Sequence, residues 1–142
     1  MKIIHLIDTL RSGGKERQLV ETLKFLSKHT GITCDLVVMA DNIYYSYVEE
    51  LDIKIHKIIR KYKKDPSIFL KVYKLCKALQ PDIIHSWNSM CSVYAVPAAK
   101  LLGIRLVNNF LRDAPMNLCI SNKNWRRAKL SFPFSDVIAA SS

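Results

Sequence analysis

At 142 residues the chain fits one domain of about 100 to 200 residues, which excludes a two-domain enzyme with its own interdomain cleft inside these residues. Apolar residues at 49% and charged residues at 24% lie near the globular average, so a disordered tail and a coiled coil are excluded and a buried core is expected. Lys and Arg number 22 against 12 Asp and Glu, and this excess of positive charge makes an acidic partner a question from the outset.

In chain order, residues 3–7 form a short apolar run that stops at Asp8 and meets Ser12-Gly13-Gly14, the pattern of a buried strand entering a turn. Leu19, Val20, Leu23 and Leu26 then recur at helical spacing, with Lys28-His29 in the last turn and Gly31 beyond. Residues 33–40 read as a second strand, 44–51 as a short helix and 53–59 as a third strand. Asp65-Pro66 opens a helix whose stripe of Ile68 or Phe69, Val72, Leu75 or Cys76 and Leu79 runs until Pro81 forbids continuation. Residues 82–87 are a fourth strand. Residues 89–102 form a helix apolar almost all round, in which Pro97 must bend the helix or shift its start. Residues 104–107 are a fifth strand, 108–120 a loop within a linker-like stretch 108–124, 121–130 a polar helix and 136–140 a sixth strand.

Near-continuous apolar strands alternating with helices predict a doubly wound, Rossmann-like α/β domain over residues 1–142, with a parallel sheet in the order 3-2-1-4-5-6. The last strand runs into Ser141-Ser142 with no covering helix, so the sequence reads as a fragment truncated after strand six. Cys34, Cys76, Cys91 and Cys119 include no Cys-x-x-Cys pair and read as reduced thiols. The first apolar run is too short for a signal peptide, and no run reaches 18 apolar residues. A cytoplasmic protein is expected, lying at most against the inner face of a membrane.

Ligands of such sheets bind beyond the carboxyl ends of the strands where strand order reverses, here between strands one and four. The loops meeting there span residues 11–17 and 86–89. Gly13 and Gly14 lack a Cβ, so backbone N–H groups can approach an anion at the positive end of the following helix. A plain tight turn explains them equally well. The pattern is not Gly-x-Gly-x-x-Gly, and the nearest acid after the second strand, Asp41, lies 27 residues beyond Gly14, which disfavours NAD.

Lys2-Ile3-Ile4-His5, Ser12-Gly13-Gly14-Lys15-Glu16-Arg17, Pro81-Asp82-Ile83-Ile84-His85-Ser86-Trp87 and Ala98-Ala99-Lys100-Leu101-Leu102-Gly103 together resemble the N-terminal domain of family 4 glycosyltransferases of the GT-B fold. The resemblance runs in register over essentially the whole chain. It implies a retaining transferase that moves a sugar from a nucleotide-sugar donor to a saccharide or lipid-linked acceptor, in a cleft between two doubly wound domains. This chain would be the acceptor half. The donor-binding C-terminal domain would be absent, so these residues alone should be inactive. The co-substrate would be the nucleotide sugar, with no cofactor and no metal. Gly13 and Gly14 match the turn that faces the donor diphosphate, and Lys15 and Arg17 would add positive charge there. Family members often carry a histidine after strand five, whereas residues 107–115 have none and place Arg112 and Asp113 there as candidate catalytic residues. Arg112 could bind phosphate or sugar hydroxyls through its planar fork, and Asp113 could accept from hydroxyls; the plain alternative is a surface ion pair.

His85 could line the cleft or be a hydrogen-bonded structural histidine, and His5 reads as core. Trp87 and Asn88 would face the cleft, the indole stacking on a sugar and the amide binding its hydroxyls, unless Trp87 packs inward. Tyr44, Tyr45 and Tyr47 fit a core or an acceptor wall. His29 and His56 are isolated, and no nucleophile elbow occurs. Basic residues gather at 60–64 and around Trp125, as Lys123, Arg126, Arg127 and Lys129, which suits an anionic membrane surface or an ordinary solvated face. The competing function is a non-enzymatic basic module for a membrane or nucleic acid, but no helix-turn-helix or RNA-binding signature supports nucleic acid.

Overall fold

The computed structural model describes residues 1–41, 46–62, 64–111 and 123–141. In order these form β1 (Lys2–Ile7), α1 (Gly14–Leu26), β2 (Thr33–Val38), a 3-10 segment (Ser46–Glu50) and β3 (Lys54–Lys57). There follow α2 (Ser67–Leu79), β4 (Ile83–Ser86), α3 (Ser89–Leu102), β5 (Arg105–Leu111), α4 (Lys123–Ser131), a 3-10 segment (Phe132–Phe134) and β6 (Val137–Ser141). The six strands make one sheet, β3-β2-β1-β4-β5-β6, every pair parallel. This is the expected Rossmann-like order, and it sets β1 against β4 with His5 opposite His85.

Alternation along β1 sends side chains to two cores. Ile3 and Ile7 pack with Leu19, Val20 and Leu23 of α1, while Ile4 and Leu6 pack with Val72 of α2 and with Ala95 and Ala98 of α3. The nearly all-round apolar sequence of α3 follows from its place against the sheet, between α2 and α4. Asn88 caps α3 by accepting the Cys91 N–H at 2.8 Å, so Pro97 does not shift the start of the helix, which runs through it. The missing proline N–H leaves the Val93 carbonyl without its helical donor. α2 ends on Gln80 at φ 47°, whose N–H donates to Cys76 at 2.8 Å, and Pro81 follows as the expected stop.

Two boundaries need correction. β5 extends through Asn108, Asn109 and Phe110 to Leu111, where a loop was expected, and pairs with β6 from Val107 to Leu111. Asparagine disfavours strands, but here the Asn108 amide donates to the Ser135 hydroxyl and both asparagines are buried. Residues 108–111 of the expected linker-like stretch are therefore strand, Lys123 and Asn124 already belong to α4, and the rest of the stretch lies outside the described residues. The expected helix 44–51 is a 3-10 segment; Tyr44, Tyr45 and the side chain of Tyr47 lie outside the described residues, as does Lys63. Cys34, Cys76 and Cys91 are buried free thiols, and burial raises all three, Cys76 to about 12; Cys119 lies outside the described residues. No helix among the described residues is long and apolar enough to cross a membrane.

Candidate functional site

The carboxyl ends of four strands are tied into one edge by main-chain bonds. Trp87 N–H donates to Leu6 at 2.9 Å, Met39 N–H to Ile7 at 3.2 Å and Arg60 N–H to Met39 at 3.4 Å. The segments after β1, β2, β3 and β4 thus lie side by side, and the switch point falls between the glycine turn and residues 86–89.

The glycine turn is open. Gly13 precedes α1 in extended backbone, and its carbonyl accepts the Arg17 N–H at 3.0 Å, the first bond of the helix. Among the described residues no side chain caps α1, so its first-turn N–H groups and the positive end of the helix dipole lie at this turn, with the Glu16 carboxylate beside Gly13. A Cβ on Gly14 would meet nothing within 4 Å, and Gly14 is exposed. A Cβ on Gly13 would collide only with the carboxylate of Glu16, the far end of a flexible side chain. Neither glycine is therefore required by the packing of the described residues. Lys15 is half-buried and Arg17 exposed on the same turn of helix.

The turn after β4 is closed. Ser86 donates its hydroxyl to the Asn88 carbonyl at 3.1 Å and lies 2.8 Å from the Ser92 hydroxyl, which also reaches that carbonyl at 3.0 Å. Trp87 is only 2% exposed, packed in the α1-side core, and its indole N–H donates to His5 Nδ1 at 3.1 Å. The expected stacking plane for a sugar is thus corrected: alternation along β4 turns Trp87 inward, beside Ile83. Asn88 stays at the cleft edge, with Oδ1 engaged by the cap.

His85 joins this closed side. Its ring centroid lies 4.7 Å from that of Trp87 and 5.2 Å from that of His5, and both histidine Nε2 atoms are buried without a hydrogen-bond partner. Because His5 Nδ1 accepts from Trp87, the His5 proton sits on Nε2. Burial pushes His5 down to about 3, with His85 adding to the effect, and burial pushes His85 down to about 4. Both are neutral at pH 7. His5 is core, as expected.

Sequence reasoning missed an ion pair at this edge. Arg60 of the loop after β3 pairs with Asp8 at the end of β1 and donates through Nη1 to the Met90 sulfur at 2.9 Å. Both partners are half-buried. Their separation in sequence carries no signal; only the 3-2-1 strand order brings the two loops to one edge. Asp41 instead pairs with Lys57 on the exposed surface at 3.2 Å. Trp125 packs against Phe110 and Phe132, at 5.9 and 6.2 Å between centroids, with the Lys129 ammonium 5.4 Å over its ring. Arg112 and Asp113 lie outside the described residues.

These features, an all-parallel doubly wound sheet with an open glycine turn at its switch point, define a Rossmann-like α/β domain of the class that binds ligands beyond the carboxyl ends of its strands. Residues 12–137 match the model of Glycosyltransferase Family 4, and the chain belongs to that family. Comparison with curated protein sequences gives no match. Among solved structures, Alr3699/HepE of Anabaena in complex with UDP and glucose superposes with a TM-score of 0.73 at 20% identity, over 97% of this chain and 37% of that one. UDP-GlcNAc 2-epimerase of Neisseria meningitidis bound to UDP-GlcNAc gives 0.73 at 15% identity, over 99% and 40%. MurG of Acinetobacter baumannii gives 0.70 at 12% identity, over 99% and 41%. The chain thus spans about two fifths of the length of these proteins, and at such identities they establish the fold alone. An epimerase shares it, so the transferase assignment rests on the family match.

Proposed function

We propose that this chain is the acceptor-side half of a retaining glycosyltransferase, which carries a sugar from a nucleotide-activated donor to a saccharide or lipid-linked acceptor. The donor is held by a second doubly wound domain of the full-length protein, and its diphosphate faces Gly13 and Gly14. The observation that carries this reading is the open space in front of Gly14, a glycine that no contact among the described residues requires. Uncapped N–H groups and the helix dipole there, with Lys15 and Arg17 beside them, suit the negative charge that grows on a departing nucleoside diphosphate. Charge is met by fixed donors, so the reading asks for no metal and no organic cofactor.

Arg112 binds phosphate or sugar hydroxyls and Asp113 accepts hydrogen bonds from sugar hydroxyls in place of the family histidine, and Asn88 Nδ2 borders the acceptor side. The UDP and glucose bound by HepE make a UDP-sugar the first donor to try. With the full-length protein and the best donor of a UDP-, GDP- and ADP-sugar panel, Gly14→Val and Arg112→Ala each lower kcat/KM at least tenfold, whereas residues 1–142 alone give no turnover. Normal turnover in both variants contradicts the site.

A cytoplasmic enzyme at the inner membrane face fits the outer side of α4 and the segment after it. Leu130 is 66% and Phe134 45% exposed, with Lys123 and Lys129 also exposed on α4. Each basic residue near an anionic bilayer contributes about 1 kcal/mol of attraction.

A further inference from the structure

A cavity of about 210 Å³ opens between the start of α2, the first turns of α3, and α4. Its apolar lining is Phe69, Met90, Val93 and Tyr94, and the Phe69 and Tyr94 rings meet edge to face at 4.8 Å. Lys64 and Arg127 line it as well, neither with an ion-pair partner among the described residues. Asp65, the one carboxylate there, accepts the N–H groups of Lys61 and Ser67 at 3.0 Å each, and hydrogen bonding from Ser67 and Lys61 holds its carboxyl below the usual range. Its oxygens are turned to its own backbone, and two cations against one anion leave the hollow positive. Met90 is the wall it shares with the Asp8–Arg60 pair, so the cavity adjoins the edge that carries the glycine turn.

An apolar hollow edged by two cations that pair with no carboxylate among the described residues complements an amphiphile whose phosphate adjoins an apolar chain. Pockets that take a whole drug-sized ligand measure about 300 to 1,000 Å³, so this one receives only the first segment of a chain and leaves the head group outside. We propose that the cavity seats the acceptor, and that the acceptor is a lipid phosphate with Lys64 and Arg127 on its phosphate. This rests on the glycosyltransferase reading above and narrows its acceptor class.

The test is calorimetric titration of the full-length protein with farnesyl phosphate below its micelle concentration, alongside farnesol and inorganic phosphate. Farnesyl phosphate should bind at least tenfold tighter than either. Val93→Asp should weaken it at least tenfold. The surface pair Lys64→Gln with Arg127→Gln, which does not disturb the core, should erase the preference for the phosphate while farnesol binds as before. Equal binding of farnesyl phosphate and farnesol, or a preference untouched by the surface pair, overturns the proposal. So does binding to phosphatidylglycerol vesicles that survives Val93→Asp without any binding of monomeric farnesyl phosphate, which would mark a membrane surface instead. If the wild-type protein turns over a nucleotide sugar while the farnesyl phosphate preference is absent, only the acceptor class fails. If no nucleotide sugar is turned over, the transferase reading fails and the acceptor role with it.

Discussion

The turns that follow β1 and β4 stand side by side at the top of the sheet and are built in opposite ways. After β4, the hydroxyls of Ser86 and Ser92, the Asn88 cap and the buried Trp87–His5 bond fill the turn with internal contacts, and the atoms left unpaired, Nε2 of His5 and of His85, are buried. After β1, α1 starts at Gly13-Gly14 with no side-chain cap among the described residues, none of which comes within 4 Å of where a Gly14 Cβ would stand. A turn that the fold needs is filled by the fold. On the proposed function, the turn left unfilled is the one that faces the donor diphosphate. The same contrast separates the residues expected at the site: Trp87 and His85, expected to line the cleft, belong to the filled side, and the glycines, expected to face the donor diphosphate, to the open one.

Substitution should expose this contrast as a difference between stability and activity. Trp87→Ala should cost about 3 to 5 kcal/mol, because it empties a core position and strips His5 Nδ1 of its donor; denaturant midpoints measure it. Acid should also act on the closed side. His5 and His85, held at about 3 and about 4, take up protons in the unfolded chain below its ordinary 6.5 but not in the folded one. Stability is then complete above about pH 6.5 and falls as pH drops toward 4. Urea midpoints between pH 7 and 4.5 should fall less steeply in a His5→Gln, His85→Gln double variant; identical slopes would contradict the assignment. Asn88→Ala, which removes one cap, should cost about 1 kcal/mol by thermal melting. Smallest of all, Gly14→Ala should leave stability unchanged or raise it by about 0.4 to 1 kcal/mol, since a methyl group there meets nothing.

Much of the architecture was legible because it rests on local chemistry. The apolar runs of β1 and β4, the Asp65-Pro66 start and the Gln80-Pro81 stop of α2 are set by neighbours in sequence, and the alternation of strands with helices points to a parallel doubly wound sheet. What local chemistry could not show was decided by distant partners. Asn108 and Asn109 read as loop until β6 and Ser135 supply their hydrogen bonds. Asp8 and Arg60 read as a turn residue and a member of a basic run until the sheet brings them together. Trp87 was placed at the correct end of the correct strand, but the partner that satisfies its indole N–H once alternation turns it inward is His5, far away in sequence. The glycine turn was named from topology alone, and its openness could be learned only from what surrounds it.

The most direct measurement compares kcat/KM for the preferred nucleotide sugar, and thermal midpoints, between the full-length protein and its Gly14→Val variant. A branched side chain in that empty space should lower kcat/KM at least tenfold while the midpoint moves by no more than about 4 °C. An unchanged kcat/KM would mean that no diphosphate approaches Gly14, and the open turn would have to be explained some other way.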